Sequence, residues 1–141
     1  MCLSVRFPKL LSRLILMSRV SKKVSDLVYR RDRGLCLHCG SSDVTIQHRK
    51  NVGAGGAKKD SPLHQPANLI LLCGAYNALI ESDPREASIA RFYGWKIRTI
   101  LQAYEEPVFD VSTGFWYRLG DTGSRALTDV VKDFRELDAS F

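Results

Sequence analysis

The chain has 141 residues, 45% of them apolar and 26% charged, with a formal net charge of +6. That length fits one compact domain with a modest core, and the balance of apolar and charged residues is that of a soluble globular protein. Its four cysteines lack the regular pairing of a disulfide framework, which points to a reducing, cytoplasmic setting.

The charge is unevenly divided. Residues 1–60 hold 13 Lys and Arg against 4 Asp and Glu, whereas residues 61–141 hold 8 against 11. A basic first half is what a polyanionic backbone would require, although a merely solvated basic face has the same composition.

Residues 1–16 are apolar with Arg6, Lys9 and Arg13 interspersed, and the longest uninterrupted apolar run, Leu14–Met17, is far shorter than the roughly 20 residues a bilayer demands. The basic residues also break any secretory signal, and no membrane partner is expected. Met17 opens a stretch that reads as a natural start. Residues 1–20 are therefore expected to be an N-terminal arm or an extension from a misassigned start.

From Ser21 to Asp32 the spacing of Val24, Leu27 and Val28 predicts a short helix ended by Gly34. The Cys36-Leu37-His38-Cys39-Gly40 knuckle follows, then Val44–His48, an alternating stretch that predicts a strand with Gln47 and His48 on opposite faces. Residues 50–67 form a long Gly, Lys and Pro-rich loop. Gly53, Gly55 and Gly56 permit close backbone approach, and Lys58 and Lys59 add charge, so the loop is either a phosphate contact or a plain surface loop, with His64 read as a surface histidine. Next come Asn68-Leu69-Ile70-Leu71-Leu72-Cys73, then Asn77 and Glu81, which share a helix face if residues 75–82 are helical.

The order and neighbours of these residues over 24–119 resemble the HNH endonuclease family, in particular its small bacteriophage versions. The resemblance implies an α+β fold: a ββα-metal core, here expected with flanking helices and a small antiparallel sheet, and a nuclease domain over residues 21–120. It implies a divalent-metal-dependent endonuclease that hydrolyses or nicks DNA phosphodiester bonds. His48 would be the general base and Asn68 the brace of the loop; Gln47, Asn77 and Glu81 would hold the metal; Arg49, Lys50, Lys58 and Lys59 would contact DNA. DNA is the implied partner, with a phage terminase or other packaging protein as a further candidate, and the host cytoplasm is the implied location.

Two departures from the family pattern matter. The position before the base, often Asp or His, is Gln47, and the last motif position, usually His, is Asn77; neutral carbonyl donors shift the site toward hard ions such as Mg²⁺ or Mn²⁺. The alternative left open is that Gln47 faces solvent, Asn77 caps a helix and Glu81 is a surface acid, leaving a non-catalytic DNA-binding or packaging-associated module. The second departure concerns structural Zn²⁺, which many members hold with two Cys pairs. Here Cys36, Cys39 and Cys73 remain and Tyr76 stands where a fourth Cys would complete the set. Recruitment of His38, His64 or Cys2 and a zinc-free arrangement of buried thiols packed by Tyr76 both remain open.

Beyond the motif, Asp83-Pro84 predicts a helix start and Gly94 its end. Trp95–Ile97, Pro107–Val111 and Phe115–Leu119 predict short strands, the last two joined as a hairpin, with most of their aromatics closing a core. Leu127, Val130, Val131, Phe134 and Leu137 predict an amphipathic C-terminal helix over 124–137, treated as a separate segment, 121–141, that packs on the domain.

Overall fold

The computed structural model describes residues 20–130 and 132–138. The expectations placed on residues 1–19, including Cys2, on Val131 and on the last three residues lie outside these.

Helix α1 (Lys22–Arg31) starts where Ser21 accepts the Val24 N–H and ends at Asp32, with Arg33 and Gly34 both at positive φ. Strands β1 (Thr45–His48) and β2 (Leu69–Leu72) pair antiparallel, with Gln47 opposite Ile70 and His48 opposite Leu69. Helix α2 (Gly74–Ser82) follows β2 directly, giving the order ββα. Helix α3 (Pro84–Phe92) begins at Pro84, with Asp83 capping Arg85 N–H, and a short α4 (Gln102–Glu105) leads to the second sheet. That sheet is β3 (Val108–Asp110), β4 (Phe115–Leu119) and β5 (Arg125–Leu127) in sequential antiparallel order; a single turn of helix, α5 (Arg135–Asp138), comes last. The protein is thus α+β, with two small antiparallel sheets.

The uninterrupted Leu69-Ile70-Leu71-Leu72 run is explained by burial of β2 on both faces. Ile70 and Leu72 enter the main core with Leu37, Tyr76, Ile80 and Trp95, while Leu69 and Leu71 face α1 through Val28. Alternation along a strand produces this division, and cross-strand partners share a face. Gln47, opposite Ile70, therefore lies on the α2 side, and His48 lies on the other.

A buried clasp fixes α1 to this hairpin. Arg31 and Asp32 pair through two bonds of 2.7 and 2.9 Å; Arg31 also donates to the Pro66 and Leu69 carbonyls, and Asp32 accepts from Leu71 N–H.

Two expected elements differ. Trp95–Ile97 is not a strand: Trp95 N–H and Lys96 N–H both turn back to the Ala90 carbonyl at the end of α3, and Ile97 N–H donates to Arg49, so the backbone is committed before a ladder can form. The helix expected over 124–137 is also absent over most of its length. Residues Arg125–Leu127 instead complete the edge of β4, leaving Leu127 63% exposed, and among the described residues of that stretch only those within Arg135–Asp138 are helical. The edge of β4 offers ready-made hydrogen-bond partners, and pairing there outweighs a helical periodicity that the isolated sequence carries. Residues 125–127 thus belong to the same sheet as β3 and β4.

Candidate metal and nuclease site

β1 carries His48 to the end of the hairpin, where the chain enters the long loop. Asn68, fully buried at the start of β2, spans that entrance: its Oδ1 accepts Lys50 N–H at 2.8 Å, and its Nδ2 donates to the Lys50 and Leu63 carbonyls at 3.2 and 2.9 Å. Three hydrogen bonds from one amide tie together both ends of the loop that follows His48. This is the geometry a bracing asparagine requires.

The loop is more ordered near its end than its composition indicates. Residues Pro62–His64 and Pro66–Asn68 form successive 3-10 turns, each opened by a proline, with Ser61 Oγ accepting Leu63 N–H. His64, expected at the surface, is 2% exposed, and its Nδ1 lies 3.0 Å from His48 Nε2. Its Nε2 faces the Ala57 carbonyl at 3.3 Å. Lys58 and Lys59 are exposed, and Lys50 is half-buried, consistent with cations able to meet a polyanion.

Arg49 is not among such cations. Its side chain is wholly buried and donates to four carbonyls, those of Gly94, Ala67, Ala103 and Glu106, at 2.7 to 3.0 Å. The expected phosphate contact is corrected: the guanidinium is committed to backbone oxygens and joins the hairpin to the α3–α4 connection. Burial, with repulsion from Arg31, pushes its pKa down to about 9, which leaves it cationic at neutral pH. Gly94 serves this hub through its conformation, since at φ +75° a Cβ would lie 1.9 Å from the Pro107 carbonyl oxygen.

The three expected metal donors are placed by β1 and α2. Gln47 lies on the α2 face of the hairpin, where its Nε2 donates to Thr45 Oγ1 at 2.7 Å, an arrangement that leaves the amide oxygen as its acceptor. Asn77 Oδ1 is buried and has no hydrogen-bond partner. A buried carbonyl oxygen without a donor is costly, and a bound cation would satisfy it. Glu81, one turn on, is exposed and is approached by Asn51 Nδ2 at 3.4 Å and Lys96 Nζ at 2.9 Å. Two neutral carbonyls and one carboxylate suit a hard, oxygen-preferring ion, so these residues fit the expected group in donor chemistry.

Lys96 joins this group without any motif to mark it. Its ammonium donates to Glu81 Oε1, to Asn51 Oδ1 at 2.8 Å and to the His48 carbonyl at 3.2 Å, so oxygens from α2, the loop and β1 converge on one cation. No local signal marks it, because it lies 48 residues from His48. His64 had a weak signal in the prolines that bracket it.

Cys73 follows β2 at the end of the hairpin opposite to His48 and the loop. Cys36, Cys39 and Cys73 bring their sulfurs within 4.8 Å of one another, and among the described residues no other group of three or more His, Cys, Asp or Glu converges so. Cys39 and Cys73 are paired as a disulfide, while Cys36 remains a thiol whose sulfur accepts Cys73 N–H at 3.2 Å. The pairing differs from the expected all-thiol set, and the sulfur triad could hold a metal ion only with that pair reduced. Tyr76 packs beside it, stacked on the His38 ring at 3.5 Å. Desolvation holds the Tyr76 hydroxyl above its ordinary pKa, and it too is buried without a partner. Desolvation likewise lowers the His38 pKa, disfavouring the charged imidazolium.

Comparison with family models, curated proteins and solved structures finds no match for the chain.

Proposed function

We propose that the protein is a divalent-metal-dependent endonuclease of the HNH type, cutting or nicking DNA phosphodiester bonds. The observation that carries this reading is the ββα unit itself: a histidine at the end of β1, an asparagine at the start of β2 that braces the intervening loop, and a helix bearing Asn77 and Glu81 directly after β2. A bound Mg²⁺ or Mn²⁺, held by Asn77, Glu81 and the Gln47 carbonyl, would stabilise charge on the scissile phosphate and the leaving oxygen. His48 lies on the opposite face of β1 from Gln47, so their joint action requires the chain to bend where β1 ends; His48 then takes a proton from water, the water oxygen forms a bond to phosphorus, and the bond to the leaving sugar oxygen breaks, that oxygen gaining a proton from solvent. Exposed Lys58 and Lys59, with Lys50, supply backbone contacts that carry little sequence information.

A second reading has its own observation. Lys96 already neutralises Glu81, the one formal charge in the donor set, as it would in a DNA-binding module that has lost its metal. The two are separated by converting supercoiled plasmid to nicked and linear forms with Mg²⁺, Mn²⁺, Zn²⁺ or EDTA, comparing wild type with His48→Ala. Metal-dependent cutting that the variant lacks supports the nuclease. No cutting with any metal, together with salt-sensitive DNA binding that weakens in Lys58→Ala/Lys59→Ala, supports the binding module.

A further inference from the structure

His64 has no assigned role in the site just described, yet it is tightly held beside His48. Pro62 and Pro66 fix the backbone on either side, Ser61 caps the turn, and Asn68 holds the Leu63 carbonyl next to it. The ring is 2% exposed and bonded at both nitrogens. These partners determine its tautomer. A carbonyl only accepts, so His64 Nε2 carries the proton donated to Ala57; in the neutral ring Nδ1 is then an acceptor, and the group donating to it is His48 Nε2–H. The proton-accepting nitrogen of neutral His48 is consequently Nδ1.

We propose that His64 is a positioning residue for His48: the Ala57 carbonyl, His64 and His48 form a relay of two hydrogen bonds that locks His48 in its Nε2–H tautomer and fixes the ring plane. The consequence for catalysis rests on the nuclease reading; the relay itself does not. Its effect resembles that of any group that orients a base through the base's other nitrogen. Because Ala57 and His64 both belong to the long loop, the loop becomes part of the catalytic support.

Two variants test this without relying on one that folds poorly. His64→Asn places an amide oxygen close to the position of Nδ1 and keeps the acceptor; His64→Leu removes it. Side-chain ¹⁵N NMR of the full chain at about pH 8, above the ordinary histidine pKa of about 6.5, reads the protonated nitrogen of each ring. The expected result is protonated Nε2 and unprotonated Nδ1 on His48 in wild type and in His64→Asn, with mixed tautomers in His64→Leu. Plasmid nicking with Mn²⁺ should fall about 10²-fold in His64→Leu through kcat, with KM little changed and substantial recovery in His64→Asn. Protonation of His48 at Nδ1 in wild type, or a His48 tautomer indifferent to His64→Leu, overturns the proposal. So does simultaneous perturbation of His48 Nε2 and His64 Nδ1 by stoichiometric Zn²⁺, which would make the pair metal ligands. The expected tautomers in a wild type that cuts no DNA leave the relay standing and remove the nuclease reading instead.

Discussion

Lys96 Nζ lies 2.9 Å from Glu81 Oε1, so the carboxylate expected to bind a metal is already paired with a cation from beyond α3. The ammonium side chain is only 11% exposed, while the carboxylate is 47% exposed, so the carboxylate can turn toward a new partner more readily than the lysine can leave. A divalent ion near Glu81 and the Lys96 ammonium would repel each other, and the Lys96 pair must loosen for the ion to bind.

Replacing the ammonium by an apolar chain of similar length should therefore favour the ion. Lys96→Met is expected to tighten Mn²⁺ binding about tenfold, read by electron paramagnetic resonance of free Mn²⁺, whereas Glu81→Ala should abolish it. Equal Mn²⁺ affinity in wild type, Lys96→Met and Glu81→Ala would show that the ion binds elsewhere, or not at all. Plasmid nicking measured on the same proteins separates two roles of Lys96. If the ammonium also holds phosphate, the variant gains metal affinity and loses rate.

Arg49 predicts a stability effect in place of a DNA-binding one. Its guanidinium satisfies four backbone carbonyls, and Arg49→Met would leave them buried without a donor. A loss of at least about 3 kcal/mol is expected, seen as a lower urea midpoint with an unchanged slope. Arg49→Lys should recover little, since one ammonium cannot reproduce a planar five-donor fork. A variant of wild-type stability that bound DNA more weakly, with a shallower salt dependence, would return Arg49 to the phosphate contacts.

The Arg49 result shows where sequence reasoning reaches its limit. Elements whose signals are local were legible: the Ser21 cap and the apolar spacing of α1, the Asp83-Pro84 start of α3, and the β3–β4 hairpin all lie close to where the sequence places them. So did the order of strand, strand and helix around His48 and Asn68. What was illegible depends on distant partners. Arg49 follows a basic, motif-bearing stretch and looks like a DNA contact; only the approach of Gly94, Ala103 and Glu106, some 45 to 57 residues away, makes it structural. His64 looked like a surface residue of a polar loop until two 3-10 turns carried it inward to His48. The C-terminal helix failed for a similar reason, because the edge of β4 is invisible to a periodicity taken over residues 124–137.

The sulfur triad carries the last prediction. Cys39 and Cys73 joined as a disulfide cannot also ligate zinc, so the redox state should decide metal occupancy. Kept reduced, the protein is expected to bind one Zn²⁺ per chain through Cys36, Cys39 and Cys73; after oxidation it should bind none, and Cys39→Ser should bind none in either state. Because ion binding favours the folded chain, Zn²⁺ at about 100 times its dissociation constant should stabilise the reduced protein by about 2.7 kcal/mol and leave the oxidised protein unchanged. Zinc release monitored with a chromogenic chelator, alongside denaturation of the same samples, measures both effects. A reduced protein that neither takes up zinc nor gains stability from it would mean that the triad is not a zinc site.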